Sequence, residues 1–291
     1  MFSKAGYVSA TLQINTTTTA AASDDEAILS VFERLALQAG QVIMDIFHSK
    51  VSVEQKADSS PVTEADRASE KLILAGLRAA FPNIPCVAEE EISAGVGTPE
   101  LGRCFFLVDP LDGTKEFVSR NADFTVNIAL VRDGVPDIGV VYAPGSGRFF
   151  AGRSGKAEAL TLGQDQTISG RHQIWVREGR PPLTVVASRS HRTPETDDYI
   201  RRIEAAEIVS VGSSLKFCLI AAGEADLYPR FGRTMEWDTA AGDAVLRAAG
   251  GSTTTAGGKT LVYGKRNRAG EADFANPSFV AMGRVEGAPE F

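Results

Sequence analysis

The segment Val108-Asp109-Pro110-Leu111-Asp112-Gly113-Thr114 follows an apolar run that begins at Phe105. The run predicts a buried strand, and the proline and glycine predict a turn where that strand ends. The turn carries two carboxylates at positions i and i+3, which can converge on a hard cation. The threonine hydroxyl lies where it could orient a water molecule. The segment therefore predicts a metal site at the end of a buried strand.

The composition is that of an ordinary globular protein. The chain has 291 residues, of which 43% are hydrophobic and 23% charged, enough for a large core in two domains or in one layered unit. The formal net charge of −7 argues against binding to a nucleic-acid backbone, which requires a basic surface. It does not exclude a small phosphorylated ligand, because metal ions can supply the positive charge. The three cysteines form no CxxC pair, which predicts free thiols in a reducing compartment.

The first residues show no targeting signal. Residues 1–22 lack a charged segment followed by an apolar core, so we predict a flexible leader rather than a signal peptide. No stretch is expected to approach the roughly 20 apolar residues of a transmembrane helix. We therefore expect a cytoplasmic protein. Peripheral contact with the inner face of the cell membrane, and the choice between monomer and homodimer, stay open.

Residues 23–165 predict an α+β half that carries most of the metal ligands. The capping box Ser23–Glu26 and the apolar spacing across 28–46 predict an amphipathic helix that starts at the serine. Thr63 is expected to cap a second helix, with Asp66 in its first turn. A carboxylate at that position is equally explained by the helix dipole.

The rest of the chain divides into an antiparallel meander and a half in which strands and helices alternate. Residues 124–152 predict three antiparallel strands joined by short turns. Residues 157–179 show no strong pattern, so we place the boundary between the halves after residue 165. Strands and helices alternate in 166–291, with a short strand expected at Leu261–Tyr263, and this alternation predicts an α/β half.

The acids at the predicted element ends suggest one metal-dependent chemistry. They are Asp66, Glu89, Asp109, Asp112 and Asp238. Each acid also has an ordinary structural explanation. For example, three successive glutamates, such as those at 89–91, usually form a solvated loop. Gathered in one cleft, however, these carboxylates would repel one another unless cations neutralised them. Magnesium takes oxygen ligands, and a pair of such ions clamps phosphate oxygens and lowers the pKa of a water. The scattered histidines argue against zinc, and no P-loop is present.

Two motifs resemble the inositol monophosphatase superfamily of magnesium-dependent, lithium-sensitive phosphatases. They are Val108–Thr114 and Trp237-Asp-Thr-Ala-Ala-Gly242. Pro61-Val-Thr-Glu-Ala-Asp66 and Glu89-Glu90 stand in the family's order and spacing, and the resemblance spans 24–283. It implies a layered α/β/α/β/α sugar-phosphatase-like sandwich, with a metal site between the two halves.

Three further segments resemble the bacterial CysQ-type branch of that superfamily. They are Asp112-Gly-Thr-Lys-Glu-Phe117, Ala187-Ser-Arg-Ser-His191 and Tyr228-Pro-Arg-Phe231. Members of this branch are 3'(2'),5'-bisphosphate nucleotidases, which convert adenosine 3',5'-bisphosphate to AMP and phosphate. The resemblance therefore implies a phosphoric monoester hydrolase of sulfur assimilation, with the sulfated analogue PAPS as a further substrate that stays open.

The resemblance also implies roles for single residues. The metal ligands for two magnesium ions would be Glu89, Asp109, the carbonyl of Leu111, Asp112 and Asp238. Asp66 with Glu89 would help to place a third ion. Thr114, hydrogen-bonded to Asp66, would orient and deprotonate the attacking water. The catalytic residues expected on this basis are Asp66, Glu89 and Thr114.

Substrate contacts are expected from both halves. The amides of Gly113 and Thr114, at a helix start, would hold phosphate oxygens. The remaining substrate residues suggested by the resemblance are Ser190, His191, Lys216, Arg230 and Asp238. Lys216 could equally be a solvated charge, and His191 could bond locally. Two alternative functions stay open: an inositol or broad sugar-phosphate phosphatase, and a metal-loaded binding module without turnover.

Overall fold

The computed structural model describes residues 16–49, 53–56, 61–188, 192–203 and 207–285, with side chains from residue 24 onward. The helices in these ranges are α1 (Thr16–Phe47), α2 (Glu64–Ala80), α3 (Glu89–Ser93), α4 (Thr114–Val118), α5 (Pro194–Arg202), α6 (Leu215–Ala221) and α7 (Ala240–Ala248).

The longest strands follow one another in the middle of the chain, between Cys104 and Ile174. In chain order they are β1 (Val53–Gln55), β2 (Pro61–Thr63), β3 (Cys86–Ala88), β4 (Cys104–Asp112), β5 (Thr125–Arg132), β6 (Val135–Ala143), β7 (Arg148–Arg153), β8 (Lys156–Leu162), β9 (Ile168–Ile174), β10 (Glu178–Gly179), β11 (Thr184–Ser188), β12 (Glu207–Val211), β13 (Leu227–Arg230), β14 (Ser252–Thr255), β15 (Phe279–Met282) and β16 (Arg284–Val285).

The first sheet has seven strands in the order β3-β4-β5-β6-β7-β8-β9. Only β3 and β4 run parallel, and the other neighbours are antiparallel. Side chains of β4 alternate between two cores: Phe106 and Val108 pack with α1 and α2, whereas Phe105 and Leu107 pack with α6 and α7. The sheet is therefore buried on both faces, which explains the continuous apolar run of β4.

The second sheet has five strands in the order β12-β11-β13-β15-β14. Its outer face packs against α5 through Tyr199 and Ile200, and its inner face meets α6 and α7 through Tyr228 and Phe279. The layers are thus α1 and α2, the first sheet, α6 and α7, the second sheet, and α5. This order confirms the predicted α/β/α/β/α sandwich.

The structure corrects the predicted limits of the two halves. Strand β9 pairs with β8, so the boundary placed after residue 165 cuts through the first sheet, which continues to Ile174. The edge strand β9 is mostly exposed, and its polar sequence therefore gave no alternating signal. Helix α1 begins at Thr16, so Ser23 does not start it, and part of the predicted leader is helical.

Two smaller predictions are also wrong. Leu261–Tyr263 forms no strand, although Leu261 and Tyr263 are buried and their amides donate to backbone carbonyls. The part of α1 from Asp24 to Phe47 is long and apolar enough to cross a membrane, contrary to the expectation that no segment approaches this. Its buried face packs against the first sheet, which accounts for its apolar residues.

Candidate active site

The site is built around the carboxyl end of β4. The pairing of β4 with β5 shifts register between Asp109 and Asp112, so a break in the regular ladder separates the two acids. The amide of Leu111 donates to Asp109 Oδ1 at 3.0 Å. Gly113 has a φ of 95°, and a Cβ there would lie 3.0 Å from the carbonyl of Asp123. Only glycine suits this turn, which leads directly into α4.

Asp66 connects α2 with the start of α4. Its Oδ2 accepts hydrogen bonds from the amide and hydroxyl of Thr63, at 2.8 and 2.7 Å, and completes the capping box of α2. Its Oδ1 accepts a bond from Thr114 Oγ1 at 3.0 Å. Burial raises the pKa of Asp66. One oxygen therefore serves the helix cap and the other accepts the Thr114 hydroxyl, while the catalytic role of Asp66 stays a prediction.

Glu89 opens α3 and is paired with a lysine. Lys56 Nζ lies 2.6 Å from both Glu89 Oε1 and Glu90 Oε1. Burial alone would lower the pKa of Lys56, but the two carboxylates outweigh it and raise that pKa. Burial also raises the pKa of Glu89. Lys56 therefore partly neutralises this acid, and sequence reasoning did not identify it.

Asp238 reaches the site from the second half of the chain. It precedes α7, and its Oδ2 accepts a bond from the amide of Met235 at 2.8 Å. Burial, and then the neighbouring carboxylates of Glu89 and Asp112, raise the pKa values of both Asp109 and Asp238 well above the ordinary value. The structure thus brings together acids that are distant in sequence.

Four of these acids line one cleft of about 240 Å³. The proposed metal and phosphate residues in its lining are Glu89, Asp109, Leu111, Asp112, Gly113, Thr114 and Asp238. Asp66 lies behind Thr114 and is not part of this lining. Among the described residues, no three Asp, Glu, Cys or His side chains converge on one point as ligands of a single ion.

The donor set nevertheless fits magnesium. That ion keeps several waters and usually takes only one or two carboxylates, rather than a closed protein cage. Buried carboxylates that raise one another's pKa also need a cation to stay ionised at neutral pH. The assignment of these oxygens as magnesium ligands stays a prediction.

Two buried cations line the same cleft. Lys216 and Arg230 are only 5% and 7% exposed, which excludes the solvated-charge reading of Lys216. Burial raises the pKa of Asp112, and the Lys216 charge opposes that rise. Lys216 Nζ donates to the carbonyl of Ser213 at 2.5 Å and lies 5.2 Å from the ring of Tyr228. Burial lowers the pKa of Lys216 to about 8. Arg233 also lines the cleft and was not predicted.

Two predicted residues cannot be placed, and one contact was missed. Ser190 and His191 lie outside the described residues, so their substrate contacts stay predictions. Ser214, at the start of α6, contacts Asp112 through its hydroxyl at 3.0 Å. The only sequence signal for it was a pair of serines after Gly212, where a strand passes into a helix.

Comparisons with known proteins identify the family of the chain. The profile described as "Inositol monophosphatase family" matches residues 24–282. The chain is 46% identical, over 248 residues, to the 3'(2'),5'-bisphosphate nucleotidase CysQ of Salmonella typhimurium, covering 84% of this chain and 96% of that protein. It is 40% identical to the protein of the same name from Buchnera aphidicola, covering 85% of this chain and 91% of that protein.

A solved structure shares the fold along nearly the whole chain. The crystal structure of CysQ from Bacteroides thetaiotaomicron, a bacterial member of the inositol monophosphatase family, aligns with a TM-score of 0.72. The two chains are 36% identical, and the alignment covers 89% of this chain and 98% of the other. The chain therefore has the fold of a solved member of the inositol monophosphatase family.

Proposed function

Because this chain belongs to the inositol monophosphatase family, we propose that it is a 3'(2'),5'-bisphosphate nucleotidase that hydrolyses adenosine 3',5'-bisphosphate to AMP and phosphate. Relatives with that name are 40–46% identical over most of the chain. The chain is thus a phosphatase, a phosphoric monoester hydrolase. Its place in sulfur assimilation, and PAPS as a second substrate, belong to the same proposal.

The observation that carries the proposal is a cleft that combines buried carboxylates with buried cations. Four of the predicted acids and Thr114 line it together with Lys216 and Arg230. A bisphosphate has one phosphate to be cleaved beside metal ions and a second that cationic side chains can bind. A substrate with a single phosphate would use only one of these two sets of groups.

Magnesium is the proposed cofactor, in two or three ions. The proposed ligands are Glu89, Asp109, the carbonyl of Leu111, Asp112 and Asp238. When bound, the ions would supply positive charge to the phosphate oxygens and lower the pKa of a water. Members of the family are typically magnesium-dependent and lithium-sensitive, and we expect both properties here.

The chain's own residues would orient the water and move its proton. The Thr114 hydroxyl, 3.0 Å from Asp66 Oδ1, can pass its proton to that carboxylate while it accepts one from the water. The water oxygen then forms a bond to phosphorus as the bond to the 3' oxygen breaks. The raised pKa of Asp66 suits a group that receives this proton. Solvent returns a proton to the 3' oxygen of AMP.

Phosphate and nucleotide contacts complete the proposal. The amides of Gly113 and Thr114 would hold oxygens of the scissile phosphate. Lys216 and Arg230 would hold the second phosphate, with Ser190 and His191 near the nucleoside. Asp238, which also lines the cleft, would face the substrate as well as a metal ion.

A substrate panel tests the proposal. Phosphate release is measured at equal magnesium with adenosine 3',5'-bisphosphate, inositol 1-phosphate and fructose 1,6-bisphosphate, with Asp109→Asn as the inactive control. We expect the highest kcat/KM for the adenosine bisphosphate. A higher kcat/KM for inositol phosphate would make the chain an inositol phosphatase. Absence of turnover with every substrate would favour a binding module.

Location and assembly are also proposals. Cys86, Cys104 and Cys218 are free thiols, in keeping with a reducing cytoplasm. Contact with the inner face of the cell membrane is tested by sedimentation with anionic vesicles. The choice between monomer and homodimer is tested by light scattering at the concentration used for activity.

A further inference from the structure

The loop before α6 carries a serine that turns away from its own helix. Ser214 occupies the N-cap position of α6, where a serine side chain ordinarily accepts a hydrogen bond from a first-turn amide. It makes no such bond here, although it is only 2% exposed. Its Oγ instead lies 2.6 Å from the carbonyl oxygen of Asp238 and 3.0 Å from Asp112 Oδ2.

A second buried side chain holds this hydroxyl in place. Asn127 Nδ2 donates to Ser214 Oγ at 2.9 Å. The single serine proton is therefore directed to the Asp238 carbonyl and the Asp112 carboxylate, which share it in a three-centre bond. Thr125 Oγ1 donates to Asn127 Oδ1 at 3.1 Å, which sets the orientation of that amide. Thr125 and Asn127 both belong to β5 and are almost fully buried. The arrangement is thus anchored in the first sheet.

Ser214 therefore joins the two halves at the acids. Asp112 ends β4 in the first sheet, and Asp238 precedes α7 in the second half. The neighbouring Ser213 has a φ of 51°, an uncommon conformation for a side chain other than glycine. Its hydroxyl lies 2.8 Å from Thr125 Oγ1, so the sheet holds two successive residues of this loop.

We infer that Ser214 is a positioning residue for the acids that would bind magnesium, an inference that rests on the proposed function. Hydrogen-bond partners of a metal-binding carboxylate fix its orientation, and their loss commonly weakens metal affinity ten- to a hundredfold. Ser214 orients the Asp112 carboxylate and fixes the Asp238 backbone with one hydroxyl. It acts through these two residues and contacts neither the substrate nor the reacting atoms.

The first test measures magnesium binding by calorimetry, without substrate. Ser214→Ala is expected to bind magnesium about tenfold more weakly than the unaltered chain. The matched control is Thr253→Val on β14, which removes a buried hydroxyl bonded to the Asp243 carboxylate at 2.7 Å, away from the cleft lining. The control is expected to lose thermal stability and to keep its magnesium affinity.

A second variant tests whether Asn127 influences magnesium binding through Ser214. Asn127→Ala should weaken magnesium binding in the same direction, and the double variant should bind no more weakly than Ser214→Ala, because Asn127 acts through Ser214. Unchanged affinity in Ser214→Ala or in Asn127→Ala would overturn the inference, as would an equal loss in Thr253→Val. The titration contains no substrate, so a failed substrate panel would leave its result intact.

Discussion

Replacing Asp112 by asparagine is expected to stabilise the metal-free chain while it abolishes turnover. In the unaltered chain the Ser214 hydroxyl lies 3.0 Å from Asp112 Oδ2. The substitution keeps an oxygen that can accept this bond, and it keeps the shape of the side chain. It removes one negative charge from a buried group in which Asp112 raises the pKa values of Asp109 and Asp238. Without a cation, the repulsion among these acids opposes folding.

The size of the effect follows from Coulomb's law. Two unit charges about 6 Å apart, at an effective dielectric constant of about 20, repel by about 3 kcal/mol. Partial protonation of the remaining acids and loss of the attraction between Asp112 and Lys216 both reduce this gain, so we expect about 1 kcal/mol of added stability. For a chain of this size, that gain corresponds to a melting temperature about 2 °C higher.

The assay is thermal unfolding in EDTA and in magnesium chloride, together with phosphate release. Asp112→Asn should melt higher in EDTA, gain little from magnesium and release no phosphate. The matched control is Asp226→Asn, a buried acid that accepts two bonds at 2.7 Å from Arg177 and one at 2.8 Å from the Thr184 amide. Loss of these charge-assisted bonds should lower the free energy of unfolding by about 2 kcal/mol. The loss is no larger because Arg177 is partly exposed, so solvent screens its pairing with Asp226.

The same substitution is therefore expected to have opposite effects at two buried aspartates. A lower melting temperature for Asp112→Asn in EDTA would refute the repulsion argument, and so would undiminished turnover. Stabilisation of Asp226→Asn would show that asparagine is generally favourable at such positions. In that case the result at Asp112 would say nothing about the acidic cluster.

Three further predictions follow from the geometry. Thr114→Ala should lower kcat by about 10²–10⁴, with calorimetric magnesium affinity unchanged, and retained kcat would exclude Thr114 as the proton carrier. In the unaltered enzyme, kcat/KM for the bisphosphate should fall as pH rises through about 8, where Lys216 loses its charge, and Lys216→Met should lack this alkaline limb. Stability of the metal-free chain should fall as pH rises from about 5 to about 8, measured by urea unfolding. Burial raises the pKa of Glu70 to about 8 and that of Glu90 to about 7, so the folded state holds more protons than the unfolded chain in this window. A urea midpoint that rises with pH would contradict this sign.

Local sequence determined the elements and most of the acids. The apolar run into Asp109 predicted the strand, Gly113 predicted the turn, and Thr63 predicted the cap of α2, because each depends on residues a few positions away. The five-layer sandwich and the order of the acidic motifs were also accessible, through resemblance to a known family. Strand β9 could not be predicted from the sequence, because an exposed edge strand needs no alternation of polar and apolar side chains.

Only the tertiary structure decided which side chains hold the acids in place. Lys56 meets Glu89 across 33 positions, Thr114 meets Asp66 across 48, and Ser214 meets Asp112 across 102. Hydrogen bonds of this kind exist only after two sheets and the helices between them have packed, so no local pattern encodes them. The turn from Val108 to Thr114 predicted where a metal would bind, whereas the packing decided how its carboxylates are oriented and neutralised.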